Sequence, residues 1–394
     1  MRIPFSGVGY KYEPDDFAVV VKSMATEKTL TQGEELGRLE SEFTQLMGGG
    51  RSFAVSNAAS AIDLVAQSLE LGPGDEVIAP SHTYTASVYP FLRTGAKIVW
   101  ADIEPSELVV SAKTIEHLIT EKTKVVVAVD LYGLPVPIEP LVSLCDEKGI
   151  FLLSDSAQAI GGRNHDGTPV GSKSHAAVFS FQSHKNISTL GEGGLLWISD
   201  QSPFGERISL LRHNGHQPFD AGRRDYWSPA MVNVVLESPN LIPSNYCLGE
   251  VQSALGAHLL KKVERLSGER RARYERAVSI FAGTKIQLQG WGDERKSSHH
   301  LLPLRLTWSE SHEQTNVFMR SLVRAGVAPA KQYFPLHNYQ FYRSLGFGDA
   351  DVPESDRFYM QQVSLPFQSW MSDTDYEWML ETVINAYADT YANL

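Results

Sequence analysis

Residues 150–158 read Ile-Phe-Leu-Leu-Ser-Asp-Ser-Ala-Gln, four apolar residues running straight into a polar turn. A short apolar run without alternation is the pattern of a strand covered on both faces. Working outward, the same pattern recurs upstream at Glu76–Ala79, Lys97–Trp100 and Val125–Val129, and downstream at Ala177–Phe179 and Leu195–Ile198. Helical patterns fill the gaps near 58–70, 84–94, 111–120 and 137–148, and Gly72-Pro73-Gly74-Asp75 supplies a turn before the first run. Strand–helix–strand alternation predicts an α/β fold: a large domain with a mostly parallel sheet flanked by helices. After about residue 200 the pattern changes. Residues 216–243 are rich in Pro and aromatics without periodicity and read as a long functional excursion. From Gly249 to Ala282 one long amphipathic helix is expected, its stripe made by Leu255, Leu259, Leu260, Val263 and Leu266. Strand candidates at His300–Leu306 and Gln362–Pro366, with helices near 312–325 and 373–391, then predict a smaller C-terminal α+β domain. The division falls at 1–248 and 249–394.

The 394 residues suffice for a core that needs no staples. Lys+Arg is 35 against Asp+Glu 46, a net charge of −11, which disfavours nucleic acid and anionic membranes as partners. Phosphate binding is then left to a local site of backbone N–H groups. The two cysteines, Cys145 and Cys247, make no disulfide framework and fit a reducing, cytoplasmic setting. The first residues carry no long apolar run, and no stretch is long enough to span a bilayer.

In open α/β sheets, ligands sit at the carboxyl ends of strands. Three such ends carry chemistry. Asp155 stands at the tip of the 150–153 run, where an unpaired carboxylate is costly; the plainer reading is a helix N-cap. Lys185 lies in a polar, Gly-bounded loop, Ser183-His184-Lys185-Asn186 to Gly191-Glu192-Gly193-Gly194, where a lysine suits imine formation; the plainer reading is a solvated lysine. Phe53-Ala54-Val55-Ser56-Asn57-Ala58-Ala59-Ser60 enters a helix through small residues that let backbone N–H groups approach a phosphate. Together, a phosphate cradle, an Asp facing a pyridine nitrogen and an imine-forming Lys are the parts of a pyridoxal 5'-phosphate (PLP) site. Tyr84, beyond another strand, is placed to stack on the pyridine, or else is a core aromatic.

These residues, in this order, resemble the DegT/DnrJ/EryC1/StrS family of PLP-dependent sugar aminotransferases, which have the aspartate-aminotransferase (fold type I) architecture. The resemblance runs through LTQGEELGRLESEF at 30–43, APSHTYTASV at 79–88, DSAQAIGG at 155–162, SFQSHKN to GEGG at 180–194, NYCLGEVQSALG at 245–256, YFPLH at 333–337 and SLPF at 364–367. It implies Lys185 as the imine-forming lysine, Asp155 against the pyridine nitrogen and Gln158 near the ring oxygen. Ser180 matches a phosphate-binding hydroxyl, Ala58 and Ala59 the backbone cradle with Ser60 beside it, and Tyr84 the stacking ring. Asn245 matches an asparagine that reaches the neighbouring subunit's cofactor phosphate, which implies a homodimer with shared active sites. Two positions depart from the family pattern: Ala59 where Thr is common, and Cys247 where Arg often follows the Asn-Tyr pair.

The expected activity is transfer of an amino group from glutamate or glutamine to a keto sugar, most simply nucleotide-linked, with pyridoxamine phosphate (PMP) as the half-reaction form. The alternatives are a PLP/PMP-dependent keto-sugar dehydratase, in which His replaces the lysine, a cyclitol aminotransferase, and a non-catalytic regulatory protein. His213, His216, His299 and His300 lack Cys or carboxylate partners at ligand spacing, so no metal is expected. Arg223, Arg224, Tyr226, Trp227 and His337 are further candidates for the substrate cavity.

Overall fold

The apolar runs become strands because each can bury both of its faces. In a computed structural model, which describes residues 2–392 apart from 203, 217–233, 237, 239–240 and 291–294, seven strands form one sheet. They are β1 (Arg51–Val55), β2 (Glu76–Pro80), β3 (Lys97–Ala101), β4 (Thr123–Val129), β5 (Phe151–Asp155), β6 (Ala176–Ser180) and β7 (Gly194–Ile198), in the order β1-β7-β6-β5-β4-β2-β3. From β3 to β6 every pairing is parallel; β7 runs antiparallel to both β6 and β1. Strand period 2 divides the side chains between two cores. In β6, Ala176 and Val178 join one core while Ala177 and Phe179 join the other; in β7, Leu196 and Ile198 oppose Leu195 and Trp197 in the same way.

The helices that cover these faces are α1 (Pro14–Thr26), α2 (Glu34–Met47), α3 (Ala58–Ser68), α4 (Tyr89–Leu92), α5 (Ala112–Ile115), α6 (Ile138–Lys148) and α7 (Gly205–Arg212). Ile62, Leu64 and Val65 of α3 and Leu141 and Cys145 of α6 fill the first core. Leu36, Leu39 and Phe43 of α2 fill the second.

The single long helix expected over 249–282 is two: α8 (Glu250–Leu260) and α9 (Val263–Phe281). Lys261 and Lys262 donate to the carbonyls three residues back, at 3.3 and 2.9 Å, so a tight turn interrupts the α-helical ladder. The turn presents Lys262 to the start of α1, where its ammonium meets three carboxylates. The apolar stripe survives the break: Leu255, Leu259, Val263 and Leu266 all reach the second core. Beyond α9, β8 (Ile286–Leu288), β9 (Leu302–Leu306) and β10 (Gln362–Leu365) form an antiparallel sheet in the order β10-β9-β8. It shares a third core with α10 (His312–Ala325) and α13 (Asp373–Tyr391), while α11 (Gln340–Ser344) and α12 (Pro353–Gln361) lie between them in the chain.

The N-terminal segment crosses from this small sheet to the large one. Ala328 donates to Ile3 O at 2.9 Å, and Gly9 N–H donates to Ser183 O at 2.8 Å. A Cβ on Gly9 would run into the carbonyl oxygens of His184 and Lys185, so only glycine lets the chain pass there.

Candidate active site

A cavity of about 440 Å³ opens at the carboxyl ends of the parallel strands. Ala58, Ala59, Tyr84, Asp155, Gln158, Ser180 and Lys185 all line it. Ser60 does not: its N–H and hydroxyl turn to Asn57 Oδ1, at 2.9 and 3.0 Å. Nor does Asn245, which is exposed and bridges the backbone of His213.

Asp155 closes β5 and is buried. Ser87 Oγ donates to its Oδ2 at 2.6 Å and Ala157 N–H to its Oδ1 at 3.1 Å. No helix follows it, so the N-cap reading fails. Burial pushes its carboxyl above the usual range, while Ser87, Ala157 and the Lys185 charge pull the other way. Lys185 sits in the loop between β6 and β7. That loop is closed by backbone hydrogen bonds from Phe181 to Gly193 (2.8 Å), Ser183 to Gly191 (3.0 Å) and Thr189 to Phe181 (3.0 Å). Burial pushes the Lys185 ammonium down to about 8, with Asp155 opposing.

Asn57 caps α3, and the first-turn N–H groups of Ala58 and Ala59 have no intrahelical acceptor. Gly194 passes close beneath them: a Cβ there would lie 2.9 Å from Ala58 N and 2.8 Å from the Asn57 carbonyl carbon. With the Ser180 hydroxyl alongside, this end has the donors that a phosphate requires. Gln158 Oε1 accepts from Tyr132 N–H at 2.8 Å and its Nε2 donates to Tyr333 OH at 3.1 Å, which leaves one amide proton for a ligand. Tyr84 is 55% exposed, open to the cavity, and meets Tyr333 edge-on at 5.7 Å.

Sequence reasoning assigned no role to Ser87, Tyr333 or Arg270. Arg270 comes from a helix with no local signal, and Ser87, though inside the 79–88 stretch, reaches Asp155 only through the fold. Tyr333 lay inside a recognised motif, but only the fold brings it to Gln158. The buried Arg270 donates to the carbonyls of His299 (3.2 Å), His300 (3.2 Å), Phe367 (2.9 Å) and Gly9 (3.2 Å), tying three cavity walls together. His337 lies away from the cavity, with Nδ1 2.7 Å from Ser81 Oγ. Arg223, Arg224, Tyr226 and Trp227 lie outside the described residues. Among the described residues, His213 with His216 and His299 with His300 gather no third metal ligand. Asp15, Asp16 and His258 do converge, but around the Lys262 ammonium.

A phosphate cradle, a carboxylate at the strand tip and a lysine of lowered pKa on one large α/β sheet define a fold type I PLP enzyme, and the donor set fits that cofactor. The chain matches the DegT/DnrJ/EryC1/StrS aminotransferase family over residues 12–384 and belongs to it: it is a PLP-dependent enzyme of the sugar aminotransferase kind. A putative sugar aminotransferase from Streptococcus pneumoniae, Spr1654, solved in its PMP form, is 26% identical with a TM-score of 0.88, covering 100% of this chain and 99% of that one. PseC of Helicobacter pylori, an aminotransferase involved in the biosynthesis of pseudoaminic acid, is also 26% identical with a TM-score of 0.88, covering 98% and 99%. A pleiotropic regulatory protein of Geobacillus stearothermophilus is 25% identical over 98% of this chain and 99% of its own length. No helix among the described residues is long and apolar enough to cross a membrane.

Proposed function

We propose that the protein transfers an amino group from glutamate or glutamine to a keto sugar, most simply a nucleotide-linked one. The observation that carries this is the pairing of Lys185 with Asp155 across one cavity, each in a distinct electrostatic setting. PLP, when bound, supplies an electron sink for negative charge developing at the carbon next to nitrogen. The chain supplies the rest. Ala58 and Ala59 N–H groups and the Ser180 hydroxyl hold the phosphate. Asp155 would hold a proton on the ring nitrogen, Gln158 Nε2 would be free to donate to the ring oxygen, and Tyr84 would cover one face. Lys185 Nζ, with its pKa lowered to about 8, is free amine in a minor fraction at neutral pH and in half the molecules near pH 8, and it would take the donor's Cα proton in one half-reaction and deliver a proton to the acceptor carbon in the other.

The retained Lys185, rather than a histidine, supports transamination over keto-sugar dehydration. Lys185, Asp155 and Gln158 together support an enzyme over a purely regulatory role. A keto cyclitol is the second acceptor class. The test is to load the protein with pyridoxamine phosphate and screen keto sugars and keto cyclitols for return of PLP absorbance. A protein that returns none with any ketone does not have this function.

We also infer a cytoplasmic homodimer whose sites are shared. Free Cys145 and Cys247 support a reducing compartment. Asn245, exposed and off its own cavity, supports a role across an interface. It does not cap the following helix, whose N-cap is Gly249. Mixing inactive Lys185→Ala subunits with Asn245→Ala subunits restores activity if the sites are shared; no recovery after verified exchange defeats the idea.

A further inference from the structure

His300 sits at the entrance to β9 and lines the same cavity as Lys185, yet the chemistry above gives it no task. Its backbone is fixed from both sides: its N–H donates to Tyr132 O at 2.9 Å, and its carbonyl accepts from Arg270 at 3.2 Å. Its ring is fixed too. Asn186, the residue after Lys185, donates from Nδ2 to Ser298 O at 3.0 Å, and this orients the amide. The Asn186 oxygen therefore faces His300 Nδ1, at 3.3 Å. An amide oxygen only accepts, so Nδ1 carries the proton and Nε2 carries the lone pair.

The imidazole stays neutral. It is buried, no carboxylate among the described residues bonds to it, and the neighbouring charges of Lys185 and Arg270 add to the cost of protonating it. Nε2 is thus the ring atom left for a ligand, and it is an acceptor only. It has nothing to offer the carboxylates of an amino-acid donor, which are acceptors themselves. It suits a hydroxyl group. Tyr333, on the same cavity, complements it: the phenol oxygen takes a hydrogen bond from Gln158 and keeps its own proton to give.

We propose that His300 Nε2 is a specificity-determining acceptor for a hydroxyl of the keto substrate, locked in the Nε2-lone-pair tautomer by Asn186. The role rests on the keto-sugar reading and concerns only the second half-reaction. A cavity that presents an unpaired acceptor selects for polyhydroxylated ketones, because a ketone lacking that hydroxyl leaves a buried polar atom without a partner.

The test has two arms. In ¹⁵N-histidine-labelled holoenzyme at neutral pH, His300 shows Nδ1 protonated and Nε2 unprotonated, and Asn186→Leu releases a mixture of tautomers. The opposite tautomer, or an imidazolium, in the unsubstituted enzyme overturns the proposal. In the kinetic arm, the PMP-loaded enzyme meets a nucleotide-linked 4-keto-6-deoxyhexose and its analogue lacking the hydroxyl beside the carbonyl. His300→Leu raises KM for the hydroxylated ketone by about tenfold or more and erases the preference over the deoxy analogue. His300→Gln, whose amide oxygen still accepts, regains most of that loss, which separates the contact from a folding defect. Glutamate-driven loss of PLP absorbance changes far less. If the enzyme turns over the ketone and His300→Leu leaves KM and the preference intact, this proposal alone fails. If the enzyme consumes glutamate but accepts no hydroxylated ketone, the keto-sugar reading fails and takes this one with it.

Discussion

Two lysines of this chain face carboxylates in opposite ways. Lys262, at the turn between α8 and α9, reaches Glu13, Asp15 and Asp16 with nitrogen–oxygen distances of 2.7, 2.9 and 2.8 Å. Those bonds outweigh its partial burial and hold its pKa above the ordinary lysine range. Lys185 has Asp155 within Coulombic reach but no carboxylate among the described residues bonded to it, and burial wins, bringing its pKa to about 8. The same side chain is held as a cation in one place and made easier to deprotonate in the other. What separates them is whether hydrogen-bonded anions replace the lost water.

Removing the proposed base is the severest way to break the comparison. Lys185→Ala abolishes transamination while circular dichroism and the melting transition stay those of a folded protein. An active Lys185→Ala enzyme without added amine contradicts the assignment. The next largest effect falls on the anion. Asp155→Ala lowers kcat by at least about a hundredfold, the scale for losing one fixed charge in a reacting site, and lowers stability much less. A mutant that keeps its turnover and only melts earlier assigns Asp155 a structural role.

These two residues were legible because each ends or follows an apolar run, and the runs were legible because strands buried on two faces carry no polar interruption. Alternate residues of β6 and β7 enter different cores, so every position had to be apolar or small. Elements without that constraint were hidden. β8 is three residues, Ile286–Leu288, too short for a pattern. The break at Lys261–Lys262 was masked because the apolar stripe resumes in register at Val263, and the carboxylates that Lys262 meets there lie about 250 residues away in sequence. His300 was visible only as half of a histidine pair; its tautomer depends on Asn186 and Ser298, and no spacing rule connects the three. Arg270 is written as a charged residue on a polar helix face, yet it is buried on four backbone carbonyls.

The clamp offers a converse test. Lys262→Met leaves Asp16, which is 1% exposed, with Tyr10 OH (2.6 Å), Glu13 N–H (2.7 Å) and the His258 imidazole (3.3 Å) but without the ammonium that faced it. Losing one partner of such a pair destabilises by about 3 kcal/mol, read by urea unfolding, while transamination per folded molecule is unchanged. The clamp also weakens in acid. Glu13 and Asp15 are held below their ordinary values, Asp15 to about 2, chiefly by hydrogen bonds from Lys262. Their contribution is present above the unfolded carboxylate pKa and is lost as pH falls toward about 2. Lys262→Met therefore loses part of its deficit relative to the native chain at low pH.

The smallest effect sharpens the contrast most, because its sign reverses. In the cofactor-free protein the Lys185 ammonium is a buried cost: its pKa is about 8 folded, against 10.5 as the ordinary value. Below about 8 the lysine is charged in both states, and the folded state bears the whole penalty. Between about 8 and 10.5 the folded protein sheds the proton first, and the penalty shrinks as pH rises. Above 10.5 both states are neutral and nothing remains. Lys185→Met should therefore stabilise the cofactor-free chain at pH 7 by at most about 3 kcal/mol, a figure in which the attraction of Asp155 is already included because it is part of the net shift. The gain should fade through pH 9 and vanish near pH 10.5, where Lys262→Met still destabilises. Urea unfolding of both variants and the native chain at pH 7, 9 and 10.5 reads the two trends side by side. Equal destabilisation by both substitutions at pH 7 would mean that Lys185, too, is a fixed cation, and its role as the base would have to be given up.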